Sequence, residues 1–291
     1  MMQTISGVYT ALVTPFNKNG EVDYGLMGEL LEEQIAGGVD GVVPVGTTGE
    51  SPTLNTDEHM KVIEETVKRA AGRCKVMAGT GANCAAEAIE LTKHAKEIGA
   101  DCSLQVTPYY NKPTQEGLYR HFSTIADCGL PIILYNVPGR TGTPIAAETI
   151  ARLAGHPCVL AVKEAGGSVE RVSEILSLCD IPVMCGDDSL TLPMMSVGAK
   201  GVISVASNII PAEMKLLTDL CLAGKFVEAL PIHQKYYRLF KTLFIESNPI
   251  PVKAAMAMTG KIEELYRLPL CEMQPGNREK LRMVLEEALA K

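Results

Sequence analysis

Several features are missing from this 291-residue sequence, and each absence narrows its role. No apolar stretch reaches the roughly 18 residues that a membrane span requires. The opening segment, MMQTISGVYTALVTPF, lacks the basic start and unbroken apolar run of a secretion signal. Lys and Arg form no cluster, and 27 basic against 34 acidic residues leave a net charge of −7, which argues against a nucleic-acid partner. The nine cysteines are scattered singly with no C-x-x-C pair, a pattern that suits reduced thiols in a cytoplasm rather than disulfides or zinc. Five histidines stand far apart with no H-E-x-x-H, so no metal site is expected. Neither G-x-G-x-x-G nor a P-loop occurs, and the partial match at Ala78-Gly79-Thr80-Gly81 reads as a tight turn. What remains has the ordinary composition of a water-soluble globular protein, long enough to bury a sizeable core.

What is present is a rhythm. Eight β-rich runs, Val8–Phe16, Gly41–Gly46, Lys75–Gly81, Cys102–Tyr110, Pro131–Pro138, Val159–Gly166, Pro182–Asp188 and Gly201–Ser207, alternate with amphipathic helical stretches such as Asp57–Ala71, Ala85–Ile98, Gln115–Asp127, Val169–Leu178 and Ala212–Leu222. Asn55-x-x-Glu58 has the form of a capping box, and Pro211 suits a first helical turn. Glycines close the helices before the next run, as at Gly72, Gly99 and Gly198. Repeated strand–helix units imply parallel pairing with right-handed crossovers. Eight of them predict an α/β fold, a closed (β/α)8 TIM barrel over residues 1–224. Beyond Gly224 only helices are expected, at Phe226–Phe244, Pro251–Thr259 and Arg278–Ala290, so residues 225–291 form a C-terminal helical domain.

In such a barrel the chemistry lies at the C-terminal ends of the strands. Alternation along Val159–Gly166 puts Lys163 on the inner face with Ala161, while Leu160 and Val162 face the outer helices. A buried ammonium is costly, so Lys163 either pairs with a carboxylate, with Glu164, Asp187 and Asp188 nearby, or sheds its proton and becomes a nucleophile for a carbonyl carbon. Tyr135 ends the neighbouring strand and points inward with Ile133; it is either a core tyrosine or a proton relay. Gly46-Thr47-Thr48-Gly49-Glu50 is a loop turn or, with its flanking glycines, a nest of N–H groups for a carboxylate. Arg140, in Gly139-Arg140-Thr141-Gly142, places a guanidinium at the mouth, suited to a second carboxylate. Together these residues suggest activation of a small 2-oxo acid as a Schiff base. The acidic Gly186-Asp187-Asp188 after strand 7 disfavours a phosphorylated substrate.

The chain closely resembles the dihydrodipicolinate synthase family of pyruvate-dependent lyases, whose wider group includes N-acetylneuraminate lyase. The matching motifs run nearly end to end: Ala11-Leu-Val-Thr-Pro15, Gly46-Thr-Thr-Gly-Glu-Ser51, Ala78-Gly-Thr-Gly-Ala-Asn83, Thr107-Pro-Tyr-Tyr-Asn111, Leu134-Tyr-Asn-Val-Pro138, Val162-Lys-Glu-Ala165, Gly186-Asp-Asp188, Gly201-Val-Ile-Ser-Val205 and Asn248-Pro-Ile-Pro-Val-Lys253. The resemblance implies a Schiff base between pyruvate and Lys163, with Tyr135 moving protons and Thr47 linking it to Tyr110 of a neighbouring subunit. It further implies that Thr47 and Thr48 hold the pyruvate carboxylate, that Arg140 positions aspartate 4-semialdehyde, and that Gly186 and Ile203 line the pocket. The product would be 4-hydroxy-tetrahydrodipicolinate, in the diaminopimelate route to lysine, formed without metal or organic cofactor by a homotetramer built as a dimer of dimers. The resemblance also brings a regulatory site for L-lysine, at Ser51, Pro52, Thr56, His59, Asn83, Glu87 and Tyr109, with Thr56 departing from the aromatic or histidine that sensitive members often carry. A related aldolase acting on N-acetylneuraminate or 2-keto-3-deoxy sugar acids is the alternative, since it would share Lys163 and Tyr135.

Overall fold

Eight short strands pair in chain order and close on themselves as a parallel barrel. The computed structural model describes residues 5–290. The strands are β1 (Gly7–Ala11), β2 (Gly41–Val43), β3 (Lys75–Gly79), β4 (Cys102–Val106), β5 (Ile132–Asn136), β6 (Val159–Glu164), β7 (Val183–Cys185) and β8 (Gly201–Ser204). Among the described residues no helix is long and apolar enough to cross a membrane.

Each strand is shorter than its apolar run predicts, and the surplus lies at the C-terminal end. Leu12, Val13 and Phe16 follow β1, Val45 follows β2, Val137 follows β5 and Val205 follows β8, and all six are buried without belonging to the ladder. Apolar side chains there mark burial beneath the loops of the barrel mouth, which a sequence cannot distinguish from strand pairing.

The helices follow their local signals more closely. The segment Thr56–Ala70 begins at a true capping box: Asn55 Oδ1 accepts from the Glu58 N–H at 2.9 Å, and Glu58 accepts from the Asn55 N–H at 3.1 Å. Acids Asp57 and Glu58 stand in its first turn and bases Lys68 and Arg69 in its last, matching the helix dipole. Pro211 opens Pro211–Leu222 at a position that needs no N–H donor. By the same rule Pro275 starts the last helix three residues before the expected Arg278, giving Pro275–Leu289.

Two apolar layers result. Tyr9, Val43, Met77, Leu104, Ile133, Tyr135, Ala161, Met184 and Ile203 fill the inside of the barrel. The alternate strand residues, among them Val8, Val42, Leu134, Val162 and Val202, pack outward against the helices. One expectation fails here. The pairing Ile132↔Val159 is followed by Ile133↔Ala161, so a bulge in β6 takes up Leu160. Val159 consequently sits with the outer layer, and Leu160 packs against the inner cluster instead of the outer helices.

The C-terminal helices Phe226–Thr242, Ile250–Met258 and Pro275–Leu289 share the outer core, contributing Tyr236, Phe240, Val252 and Leu285. Their buried polar tie is Lys253, whose Nζ lies 2.5 Å from Glu50 Oε1 with both side chains wholly inaccessible. The same ammonium reaches the Thr14 carbonyl at 3.2 Å and stands 4.3 Å above the Phe16 ring. Burial pulls Lys253 below the ordinary lysine range, and the Glu50 charge opposes that pull. Removing one partner strands the other as an uncompensated buried charge, which typically costs about 3–5 kcal/mol. Lys253→Ala is therefore expected to lower unfolding stability by that order in urea titrations, and Glu50→Gln with Lys253→Met to restore most of it. Equal losses in the single and double variants would show that packing, rather than charge, carries the contact.

Candidate active site

β5 and β6 are in register at Tyr135↔Lys163, so neighbouring strands deliver the phenol and the amine side by side into the barrel. Lys163 Nζ lies 4.1 Å from the centre of the Tyr135 ring. Both residues are 7% exposed. Among the described residues Lys163 makes no ion pair, although carboxylates flank it in sequence. Glu164 points the other way, where it accepts twice from Asn136 Nδ2 (2.9 and 2.8 Å) and once from the Gly166 N–H, with Arg171 3.5 Å distant. Burial pushes its carboxyl up despite these donors. Asp188 is committed to the Ser204 hydroxyl at 2.5 Å and to the Val205 and Ala206 amides, its carboxyl pushed up to about 6 by burial. The buried lysine that does take an ion pair is Lys253, on the far side of the nest loop.

That loop is built to expose N–H groups. Gly49 and Ser51 donate back to the Gly46 carbonyl, Glu50 donates to the Thr47 carbonyl, and Thr14 Oγ1 holds the Gly49 carbonyl at 2.7 Å. The amides of Thr47 and Thr48 are left without a protein acceptor among the described residues. Val45 and Glu50, at φ +55° and +56°, bend the chain at either end. Gly79 lets the loop settle, because a Cβ there would come within 2.3 Å of the Val45 carbonyl. Asn248 Nδ2 donates to Thr48 Oγ1 at 2.9 Å and fixes that hydroxyl.

Arg140 lies not in an open loop but on a single helical turn, Pro138–Thr141, ended by Gly142 at φ +71°. Its guanidinium donates to the Asn248 carbonyl at 3.0 Å. A cavity of about 150 Å³ joins Thr47, Thr48, Tyr135, Arg140, Lys163 and Gly186. It continues outward into a space of about 220 Å³ that shares Thr47, Tyr135 and Arg140 and ends at Tyr109. Gly186 is small of necessity, since an added Cβ would sit 3.1 Å from Lys163 Cε and 2.6 Å from Ala165 Cβ. Ile203 is fully buried in the layer inside the barrel, and Val205, just past the end of β8, borders the cavity. Tyr110 is 92% exposed at φ +71° and touches neither cavity of its own chain.

The seven positions that the resemblance assigns to L-lysine gather beyond that outer space, which shares Ser51, Pro52 and Tyr109 with them. Ser51, Pro52, Thr56, His59, Glu87 and Tyr109 line a third cavity of about 190 Å³. Asn83 stands at its edge, donating to the Tyr109 carbonyl at 3.4 Å. Asn248, Phe244 and Val205 are among the residues of the inner site to which the sequence assigned no role. For Asn248 the only signal was its place before the Pro-Ile-Pro run.

The sequence model described as Dihydrodipicolinate synthetase family matches residues 4–288. The 4-hydroxy-tetrahydrodipicolinate synthase of Geotalea daltonii is 55% identical over 284 residues, covering 97% of this chain and 98% of that protein. Chloride-inhibited dihydrodipicolinate synthase from Acinetobacter baumannii, solved with pyruvate, superposes with a TM-score of 0.96 at 46% identity, over 98% of this chain and 99% of that one. The enzyme from Cyanidioschyzon merolae with lysine bound gives 0.94 at 42% identity, over 97% and 98%.

The third cavity generates a test that needs no ligand. His59 Nε2 lies 2.7 Å from the Gly79 carbonyl, which can only accept, so the ring carries its proton on Nε2. Burial lowers its pKa from 6.5, against the pull of that carbonyl. The neutral ring thus contributes stability above about pH 6.5 that fades as pH falls toward the lowered value. Nitrogen NMR of the histidine rings is expected to find one Nε2–H ring still neutral at pH 6; an ordinary titration midpoint for His59 would contradict this.

Proposed function

The chain belongs to the dihydrodipicolinate synthetase family, and we propose that it condenses pyruvate with aspartate 4-semialdehyde to give 4-hydroxy-tetrahydrodipicolinate. The observation that carries the reading is Lys163, buried beside Tyr135, without a carboxylate partner among the described residues, and facing a cavity walled by free amides.

The amine of Lys163 attacks the ketone carbon of pyruvate while the carboxylate rests on the Thr47 and Thr48 amides. Loss of water from the carbinolamine leaves an imine, and loss of a methyl proton gives the enamine. The enamine carbon adds to the aldehyde of the second substrate, whose carboxylate pairs with Arg140. The amine of that substrate then adds to the imine carbon and expels Lys163, closing the ring. Tyr135 carries protons to and from the carbinolamine and the new hydroxyl, through Thr47 to Tyr110 of a neighbouring subunit. The exposure of Tyr110, with its strained backbone, supports that insertion and a homotetramer assembled from such pairs. The barrel, residues 1–224, supplies the reacting groups, and the helices of 225–291 brace them through Asn248 and Lys253. The third cavity takes L-lysine: Glu87 attracts its ammonium groups, and the neutral His59 offers Nδ1 as a further acceptor.

Borohydride added with pyruvate is expected to fix a stable mass on Lys163, and Lys163→Ala to remove it; an adduct that persists in the variant would end the mechanism. A coupled assay offering aspartate 4-semialdehyde, N-acetylneuraminate and 2-keto-3-deoxy sugar acids is expected to show turnover with the first alone. For the regulatory site, calorimetric titration of L-lysine is expected to give saturable heat that Glu87→Gln abolishes. No heat with the unaltered protein would remove that role.

A further inference from the structure

The inner cavity holds two acceptors that the chemistry on Lys163 leaves unused. Asp187 follows β7 and lines the wall with a half-buried carboxyl that makes no ion pair among the described residues. Burial pushes this carboxyl up, while Lys163 first and Lys241 and the Gly167 backbone after it pull the other way. Asn248 is only 5% exposed, and its Oδ1 is buried with no hydrogen-bond partner, although its Nδ2 and its carbonyl are bound to Thr48 and Arg140. The donors of the cavity, the Thr47 and Thr48 amides and Arg140, go to substrate carboxylates in the proposed reaction, which leaves this carboxylate and this amide oxygen short of donors, and unmade bonds of buried acceptors are costly. Pyruvate has no N–H or O–H to offer at neutral pH. The guanidinium of Arg140 borders the same space, so the cavity is polarised, with a fixed cation and free acceptors.

We propose that Asp187 and Asn248 Oδ1 receive the ammonium group of the second substrate and select an α-amino aldehyde over one that lacks the amine. This rests on the function proposed above and adds the group that reads the amine. A zwitterion then satisfies both ends of the cavity: Arg140 takes its carboxylate, and Asp187 with Asn248 takes its three N–H donors. The aldehyde between them is presented to the carbon activated on Lys163. A non-amino aldehyde of the same length gains the Arg140 contact but leaves both acceptors empty.

The test compares aspartate 4-semialdehyde with succinate semialdehyde, which carries hydrogen in place of the ammonium group, in the full-length enzyme. Asp187→Asn, nearly isosteric and uncharged, is expected to raise KM for aspartate 4-semialdehyde by about tenfold to a hundredfold, the range for losing a charged hydrogen bond. Inhibition by succinate semialdehyde is expected to stay unchanged, and borohydride trapping with pyruvate is expected not to slow. Asn248→Ala is expected to shift the same ratio in the same direction. Parallel weakening toward both aldehydes, or slowed trapping in Asp187→Asn, would overturn the assignment, since a positioning effect on Arg140 or Lys163 predicts those results. The unaltered enzyme gives a check independent of either variant folding: comparable affinity for the two aldehydes also overturns it. Absence of any turnover with aspartate 4-semialdehyde would instead sink the proposed reaction, whereas turnover unaffected in Asp187→Asn sinks only the role of Asp187 and Asn248.

Discussion

Because neither Glu50 nor Lys253 touches water, each depends on the other for its charge, and the surrounding structure depends on the pair. Glu50 closes the nest loop in a left-handed backbone conformation, two residues after Thr48. Lys253 lies on a helix two hundred residues later. Their contact fixes where the C-terminal helices sit on the barrel mouth, and so brings Asn248 to Thr48 and to Arg140. The ends of the cavity are thereby set by a segment that contributes no strand to the barrel.

Two buried lysines in one chain show how context divides a residue type. Lys253 has a carboxylate at 2.5 Å and two aromatic rings around its ammonium, and serves as a fixed cation. Lys163 has an aromatic ring and a cavity. Of the three nearby carboxylates, Glu164 and Asp188 are held by Asn136, Arg171, Ser204 and backbone amides, while Asp187 shares the cavity without an ion pair among the described residues. Occupying Glu164 and Asp188 elsewhere leaves Lys163 without an ion pair among the described residues, as the proposed covalent chemistry requires.

The barrel was legible because its signal is periodic and repeated: eight apolar runs, each answered by an amphipathic helix. Lys163, Tyr135 and Arg140 could be placed at the mouth because alternation and chain order fix them locally. Three things were not legible. The ends of the strands were obscured because Val45 and Val137 are buried for reasons of loop packing. The Asn248 contacts join residues 200 and 108 positions apart, and no local pattern encodes them. The absence of an ion pair at Lys163 among the described residues turned on the hydrogen bonds of Glu164 and Asp188, which the sequence lists only as nearby acids.

The bulge at Leu160 reaches further than its size suggests. Val159, Ala161 and Lys163 have the same parity, yet the first faces the helices and the other two face the barrel interior. The strand therefore runs in two phases, with Leu160 as the slip between them. Its lower part keeps time with the outer shell and its upper part with the cavity. The upper segment is locked residue for residue to β5 from Ile133↔Ala161 to Asn136↔Glu164, so a residue inserted there would turn the lysine out of the cavity.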